Sequence, residues 1–132
     1  MKSLRSNRGW SNAPSEERTC DLLRASGVRE TRDAAGRISY DRKERHASHL
    51  AACGTSGYEV RFAVASETQV SGVGDDSEVA LWRLKRRTRF VHKGMFAFDL
   101  TRVKQGATQQ LATDAEWQYE IEIEFCGQRR RG

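Results

Sequence analysis

Three carboxylates alternate along one short stretch near the C-terminus, "YEIEIEF" at residues 119–125. Successive side chains of a strand point to opposite faces, so Glu120, Glu122 and Glu124 share one face and apolar residues share the other. Crowded carboxylates raise one another's pKa unless they face water or a cation. An edge strand exposed to water explains the pattern. A site for Mg²⁺ or Mn²⁺, which take oxygen ligands, explains it as well.

A second alternating stretch carries the opposite charge. In "LWRLKRRTRF" at residues 81–90, one face of the predicted strand carries Arg83, Lys85, Arg87 and Arg89. By itself this is typical of a basic strand that binds nucleic acid without sequence preference, through counterion release. If the sheet curls with its charged faces inward, however, the basic and acidic strands face each other across a polar lumen. Such a lumen suits a polyphosphate, whose oxygens the cations neutralise while the carboxylates hold a divalent metal.

Alternation over most of the chain predicts a mainly antiparallel β protein of about six strands with one short helix. We expect the helix within "PSEERTCDLLRASG" at residues 14–27, where Ser15 is placed to cap its start and Gly27 to end it. Two alternating runs around "DAAG" predict a hairpin with Gly36 in its turn. Two polar stretches are predicted loops, residues 71–77 and 104–116.

Length and charge indicate one domain with an anionic partner. The 132 residues carry a net charge of +5, which favours nucleic acid, a nucleotide or a membrane surface. We expect a flexible basic arm at 1–13, a single β domain at 14–127 and a basic tail at 128–132. The sequence has no long apolar run or secretion signal, so we expect no membrane segment. Three scattered cysteines without CxxC spacing suit a reducing intracellular compartment.

Two smaller groups of residues invite a functional reading. Arg61 shares its predicted face with small alanines, which would leave room for a ligand in a lumen. His46, His49 and Cys53 have spacing reminiscent of a zinc site, but a fourth ligand is missing and the segment reads as a loop. The sequence therefore gives little support to a zinc site at this second group.

The order of these motifs is similar to that of a known enzyme family. It comprises a "GVRETRDAAGRI" hairpin, then "RKER", "YEVRFAVASE", "RLKRR", "FDLTRV" and the closing "YEIEIEF". This order, over roughly residues 20–126, resembles the metal-dependent RNA 5'-triphosphatases of fungal, protozoan and viral mRNA capping. These enzymes belong to the triphosphate tunnel metalloenzymes.

The resemblance implies an eight-stranded antiparallel tunnel that encloses the 5'-triphosphate of RNA. It implies release of the γ-phosphate with Mg²⁺ or Mn²⁺, which leaves a diphosphate end for guanylylation. Triphosphate-ended RNA, a capping guanylyltransferase and a nuclear location follow as expectations. The family's first tunnel strand has no match in this chain, as described below. A tunnel without that strand would have an open edge, so we also expect pairing with another chain, as in a homodimer.

The resemblance also implies roles for individual residues. Glu120, Glu122 and Glu124 match the metal-binding strand, with Glu122 and Glu124 foremost. The implied phosphate contacts are Arg83, Lys85, Arg87 and Arg61, with Arg29, Lys43 and Arg45 as a secondary group. Asp99 and Thr101 match the pair that orients basic neighbours.

One departure from the family leaves the function open. The family's first tunnel strand carries its own E-x-E pair, whereas "SEERT" has adjacent rather than alternating acids. The chain therefore resembles a member that begins after its first strand. Three functions remain in view: a capping RNA 5'-triphosphatase, a non-catalytic binder or capping scaffold, and a hydrolase of inorganic triphosphate or nucleotides.

Overall fold

The computed structural model describes residues 9–11, 14–72 and 78–127. In this part of the chain all strands belong to one antiparallel sheet, and one short helix accompanies it. The elements are β1 (Trp10–Ser11), β2 (Glu16–Arg24), β3 (Val28–Asp33), β4 (Ile38–Ala52), β5 (Glu59–Gln69), β6 (Val79–His92), β7 (Phe96–Gly106), α1 (Gln109–Asp114) and β8 (Gln118–Phe125). The prediction of a mainly antiparallel β protein with one short helix is confirmed.

The seven longer strands lie in the order β5-β4-β3-β2-β6-β7-β8, and β1 pairs with the end of β6. Strands β2 to β5 form one meander of consecutive hairpins, and β6 to β8 form another. The antiparallel pairing of β2 with β6 joins the two meanders. The outermost strands of the described sheet are therefore β5 and β8.

The sheet is a curled half-barrel whose charged face is concave. On that face Asp21, Asp99 and Thr101 are only 1%, 2% and 3% exposed, although they are polar. On the opposite, convex face Phe62 and Ile121 are 63% and 76% exposed, although they are apolar. Curling explains both observations, since it encloses one face and spreads the other.

The expected helix at residues 14–27 is wrong, because β2 occupies Glu16–Arg24. This strand lies between β3 and β6 and pairs with both. Local capping signals are a weak guide when tertiary pairing competes. A helix here would leave two neighbouring strands without their central partner, and Leu22, 1% exposed, would lose its place in the sheet.

The loop interpretation of the segment around His46 and His49 is also wrong, because β4 continues to Ala52. A β-bulge between Arg45 and Ala47 shifts its register against β5. Bulges bend a strand and change which side chains face inward, and this break in simple alternation hid the strand.

The predicted loop at 104–116 contains the helix α1. Thr108 caps it, since its hydroxyl accepts a hydrogen bond from the backbone N–H of Leu111 at 3.1 Å. The helix packs so closely on the end of β7 that a Cβ on Gly106 would lie 2.6 Å from the backbone nitrogen of Ala112. Glycine is therefore required at this approach.

The hairpin between β3 and β4 is confirmed. Gly36 has a φ of 84° in the turn, a conformation that glycine adopts without steric cost. The Asp33 carboxylate accepts hydrogen bonds from the backbone N–H groups of Ala35 and Arg37, both at 2.9 Å.

The ends of the chain are described only in part. Trp10, within the predicted arm, packs its ring 5.4 Å from that of Phe98. Residues 1–8, 12 and 13 of the arm, the tail at 128–132 and residues 73–77 of the predicted loop at 71–77 lie outside the described residues. No helix in the described ranges is long and apolar enough to span a membrane.

Candidate active site on the concave face

Strand β6 places Arg83, Lys85 and Arg87 side by side on the concave face, and each cation meets a different carboxylate. Arg83 Nη2 donates to an oxygen of Glu120 at 2.7 Å. Lys85 Nζ lies 2.5 Å from Asp21 Oδ2, with both side chains buried. Arg87 Nε is 3.8 Å from the nearer oxygen of its carboxylate partner on β7. The two arginines are therefore more available to a ligand than the lysine.

Several buried donors on this face have no acceptor. The Nε groups of Arg29, Arg83 and Arg87 and the hydroxyl of Thr101 are buried without a hydrogen-bond partner among the described residues. A buried polar group left unpaired costs roughly 1–3 kcal/mol. An anion with several oxygens would pair with such donors, so the concave face has the hydrogen-bonding character of an anion site.

Strand β8 brings its three glutamates to the same face, opposite β7. Glu120 is bound by Arg83, and Glu124 accepts from Arg89 Nη2 at 3.2 Å. Glu122 is exposed and has no hydrogen bond or ion pair within the described ranges. The acidic row is therefore partly neutralised by the neighbouring basic row and leaves one carboxylate uncommitted.

This donor set fits a divalent cation that is shared with a substrate. Across the described residues, no three His, Cys, Asp or Glu side chains converge into a metal-binding cluster. Mg²⁺, however, is usually held by one or two carboxylates together with substrate phosphates and water, not by a closed protein cage. Glu122 and Glu124, adjacent on one face of β8, meet that requirement. His46, instead of joining a zinc site, lies 2.8 Å from the hydroxyl of Ser66.

Asp99 organises the basic row from β7. It is 2% exposed, and its two oxygens accept from Nε and Nη2 of Arg89, both at 2.8 Å. The hydrogen bond to Asp99 raises the pKa of Arg89, against the smaller opposing effect of burial. The second oxygen of Asp99 also faces Arg87 at 3.8 Å. Asp99 thus fixes the guanidinium group of Arg89 and places a negative charge next to that of Arg87.

Strands β3, β4 and β5 form the other wall of the concave face. Arg29 on β3 lies 3.0 Å from Asp41 and reaches Glu67, two strands away, at 3.4 Å. Burial lowers the pKa of Arg29, but the hydrogen bond and charge of Asp41 outweigh it, so the pKa is raised. Lys43 and Arg45 are exposed on β4 and have no ion pair within the described ranges.

Arg61 lies on the outermost strand, β5, in a groove of about 470 Å³. Ile123 of β8 lines the same groove, although β5 and β8 are at opposite ends of the strand order. The curl of the sheet therefore brings part of β5 near β8, although Ile123 lies on the face of β8 opposite to that of the glutamates.

Two charged residues of this site were missed from the sequence: Asp21 and Asp41. Asp21 was hidden because its segment was interpreted as a helix. The alternation of the basic strand placed Arg89 on this face, but its partner Asp99 could not be assigned from the sequence. The contact of Asp41 with Arg29 depends on the register between β3 and β4, which the sequence alone does not show.

Residues 16–131 match the family model described as "mRNA capping enzyme, beta chain". The chain belongs to this family. A search of curated protein sequences gives no match. Family membership agrees with the order of motifs along the chain and with a basic strand, β6, and an acidic strand, β8, on one concave face.

Solved structures share the fold of this member of the capping beta-chain family. The Pct1 RNA triphosphatase of S. pombe superimposes with a TM-score of 0.72 at 24% identity, over 87% of this chain and 44% of Pct1. Pct1 in complex with the Spt5 CTD gives a TM-score of 0.70, with the same identity and coverage. The Mimivirus capping enzyme triphosphatase gives 0.62 at 12% identity, over 90% of this chain and 68% of that one. This chain thus spans less than half the length of Pct1.

Proposed function

We propose that this chain contributes the phosphate-binding wall of an RNA 5'-triphosphatase of mRNA capping, which removes the γ-phosphate from triphosphate-ended RNA. The observation that carries the proposal is the set of buried arginine donors without acceptors on the concave face, beside the glutamate row of β8. Membership of the capping beta-chain family and the fold shared with two RNA triphosphatases support it.

The residues of the site divide the work of phosphoryl transfer. Such a reaction needs mainly positioning and neutralisation of charge on the transferred group. Arg83 and Arg87 hold oxygens of the triphosphate and stabilise the charge that develops as water attacks and the diphosphate end leaves. Asp99 keeps Arg89 in place beside Arg87. Arg61 and Arg29 neutralise the phosphates from the opposite wall, with Lys43 and Arg45 nearer the exposed edge.

The capping beta-chain family is generally metal-dependent, and we propose Mg²⁺ or Mn²⁺ as the ion here. Glu122 and Glu124 would hold it, with Glu120 next to them. The ion would supply further neutralisation of the phosphate charge when bound. Lys85 has a positioning role, since Asp21 binds its ammonium group within the sheet.

A second candidate, a binder of triphosphate-ended RNA without catalysis, has one observation in its favour. Among the described strands, β8 alone carries alternating glutamates, and the sheet is open between β5 and β8. A third candidate is a hydrolase of inorganic triphosphate or nucleotides, which would use the same phosphate contacts. A comparison of substrates distinguishes it from the other two candidates.

The test is release of labelled γ-phosphate from triphosphate-ended RNA with Mg²⁺, with Mn²⁺ and with a chelator. Glu122→Gln should abolish metal-dependent release, because it removes the uncommitted carboxylate. Glu44→Gln is the matched control, since Glu44 is an exposed glutamate on the convex face. Equal release by both variants would refute the site. Binding of triphosphate-ended RNA without phosphate release would indicate the non-catalytic function. Faster phosphate release from inorganic triphosphate than from RNA would indicate a hydrolase of inorganic triphosphate.

Partners and location follow as further proposals. We propose that the protein acts in the nucleus beside a capping guanylyltransferase, as the family resemblance implies. A homodimer is proposed from the convex side of β8, where Tyr119, Ile121, Ile123 and Phe125 are 63–76% exposed. Large exposed apolar patches mark protein interfaces. Sedimentation of the chain alone and mixed with a guanylyltransferase tests both associations.

A further inference from the structure

A row of three arginines crosses the convex face, outside the proposed active site. Arg18 on β2 is directly opposite Arg86 on β6, and Arg86 is directly opposite Arg102 on β7. Like charges directly opposite each other on neighbouring strands destabilise a sheet. None of these three arginines has a role in the proposed catalytic site. Another function is therefore needed to explain why they lie together despite their repulsion.

An aromatic side chain lies among these cations. The indole ring of Trp117 is 5.1 Å from the guanidinium carbon of Arg86, 5.2 Å from that of Arg102 and 4.9 Å from Lys104 Nζ. Cation–π contacts offset part of the repulsion. They leave the positive charges in place, however, since an aromatic ring is neutral.

One carboxylate opposes four cations in this cluster. Glu16 lies 3.4 Å from both Arg18 and Arg102. The side chain of Arg18 is 64% exposed and that of Arg102 is 39% exposed, so a ligand can reach them. A cavity of about 240 Å³ adjoins the cluster, lined in part by Arg18, Arg86 and Trp117. Its volume exceeds the ~30 Å³ share of one water molecule several times over.

In an inference that rests on the proposed function, we propose that this cluster of Arg18, Arg86, Arg102, Lys104 and Trp117, the convex patch, binds single-stranded RNA behind its 5' end. Single-stranded nucleic acid is typically bound by cations along its backbone and aromatic rings that stack on its bases. The convex patch supplies both within one row. An acidic peptide would use the charge but not the ring, so the composition favours RNA.

The position of the patch suits this role. Arg102 lies four residues before the end of β7, and Trp117 immediately precedes β8. Arg87, the residue after Arg86 on β6, is one of the proposed phosphate contacts and lies on the opposite, concave face. Arg86 lies midway along β6, so an RNA that contacts both faces passes round the border of the sheet.

The test measures binding of a fluorescent single-stranded RNA with a 5'-hydroxyl end, which has no triphosphate for the active site. Binding is compared between the wild-type chain and two variants of it, the double variant Arg86→Gln/Arg102→Gln and the single variant Trp117→Leu. We expect roughly tenfold weaker binding for Trp117→Leu, as for one lost base stack. The double variant should reduce the slope of log K against log salt by about 1.4, since two phosphate contacts are lost.

Arg42→Gln is the matched control. Arg42 is an exposed arginine of β4 that lies on the convex face, as the patch does, but away from the patch. If the control weakens binding as much as the double variant, the RNA contact is diffuse and the proposal fails. It also fails if polyglutamate competes as well as RNA does. Arg18→Gln, at the most exposed cation, replaces the double variant should that one unfold. Phosphate release from inorganic triphosphate should be unchanged in all variants, so failure here is distinguishable from failure of the catalytic proposal.

Discussion

The buried contact between Lys85 and Asp21 joins the two meanders, and its removal should destabilise the whole domain. The Lys85 and Asp21 side chains are 8% and 1% exposed. Apart from Lys85, Asp21 is bonded by the hydroxyl of Thr31 at 3.1 Å. Breaking one partner of a buried ion pair costs about 3–5 kcal/mol, because the other charge stays buried. We expect Lys85→Met to lose about 3 kcal/mol, a large part of the roughly 5–15 kcal/mol typical of a domain.

Urea unfolding followed by circular dichroism measures this loss. With a slope of about 2 kcal/mol per molar urea, 3 kcal/mol corresponds to a midpoint about 1.5 M lower. Asp21→Asn should cost a similar amount. The double variant Asp21→Asn/Lys85→Met should lose much less than the sum, because neither charge then remains buried alone. Lys43→Met, at an exposed lysine of the same face, should change the free energy of unfolding by under about 0.5 kcal/mol.

Two results would refute this reasoning. A midpoint for Lys85→Met close to that of Lys43→Met would mean that the Lys85–Asp21 contact contributes little. A double variant whose loss equals the sum of the single losses would mean that Lys85 and Asp21 act independently.

Two further predictions concern titratable groups on the convex face. Burial raises the pKa of Glu30, but hydrogen bonds from Arg24 and Arg32 outweigh it and hold the pKa below its ordinary 4.5. Its stabilising effect is therefore complete above pH 4.5 and is lost as the pH falls through the lowered value. The stability difference between wild type and Glu30→Gln, from urea midpoints, should shrink between neutral pH and about pH 3; a constant difference would contradict it. Burial, then the charge of Asp21, raises the pKa of the Cys20 thiol, while the other two cysteines are exposed. A thiol reagent should modify two cysteines quickly and Cys20 slowly, whereas three equal rates would contradict the burial of Cys20.

Alternation proved a good guide to the strands, because its cause is local. A period of two follows from the pleat of each strand, so the faces of β6 and β8 could be assigned without knowing their neighbours. The bulge after Arg45 interrupts the period, and there the prediction of β4 ended too early.

Contacts between strands that are far apart along the chain could not be predicted from the sequence. Lys85 belongs to the same alternating set as Arg83 and Arg87, yet Asp21 of another strand makes its surroundings different. Burial of that pair depends on the register of β2 against β6. Ser15 is a residue type that commonly caps helices, and this local preference favoured a helix. Pairing of β2 with a strand on each side stabilises the strand more.

The seam between β2 and β6 has a consequence for how the protein folds. Each meander can form from hairpins between neighbouring strands, whereas the seam pairs Glu16 with Thr88 and Arg24 with Val79, far apart along the chain. Closing such long loops is entropically unfavourable and slows folding. Arg29 lies in one meander and Arg83 in the other, so neither half carries the complete anion site. A polyphosphate that binds across both walls would therefore stabilise the closed seam over the separated halves, and folding and ligand binding would be thermodynamically linked.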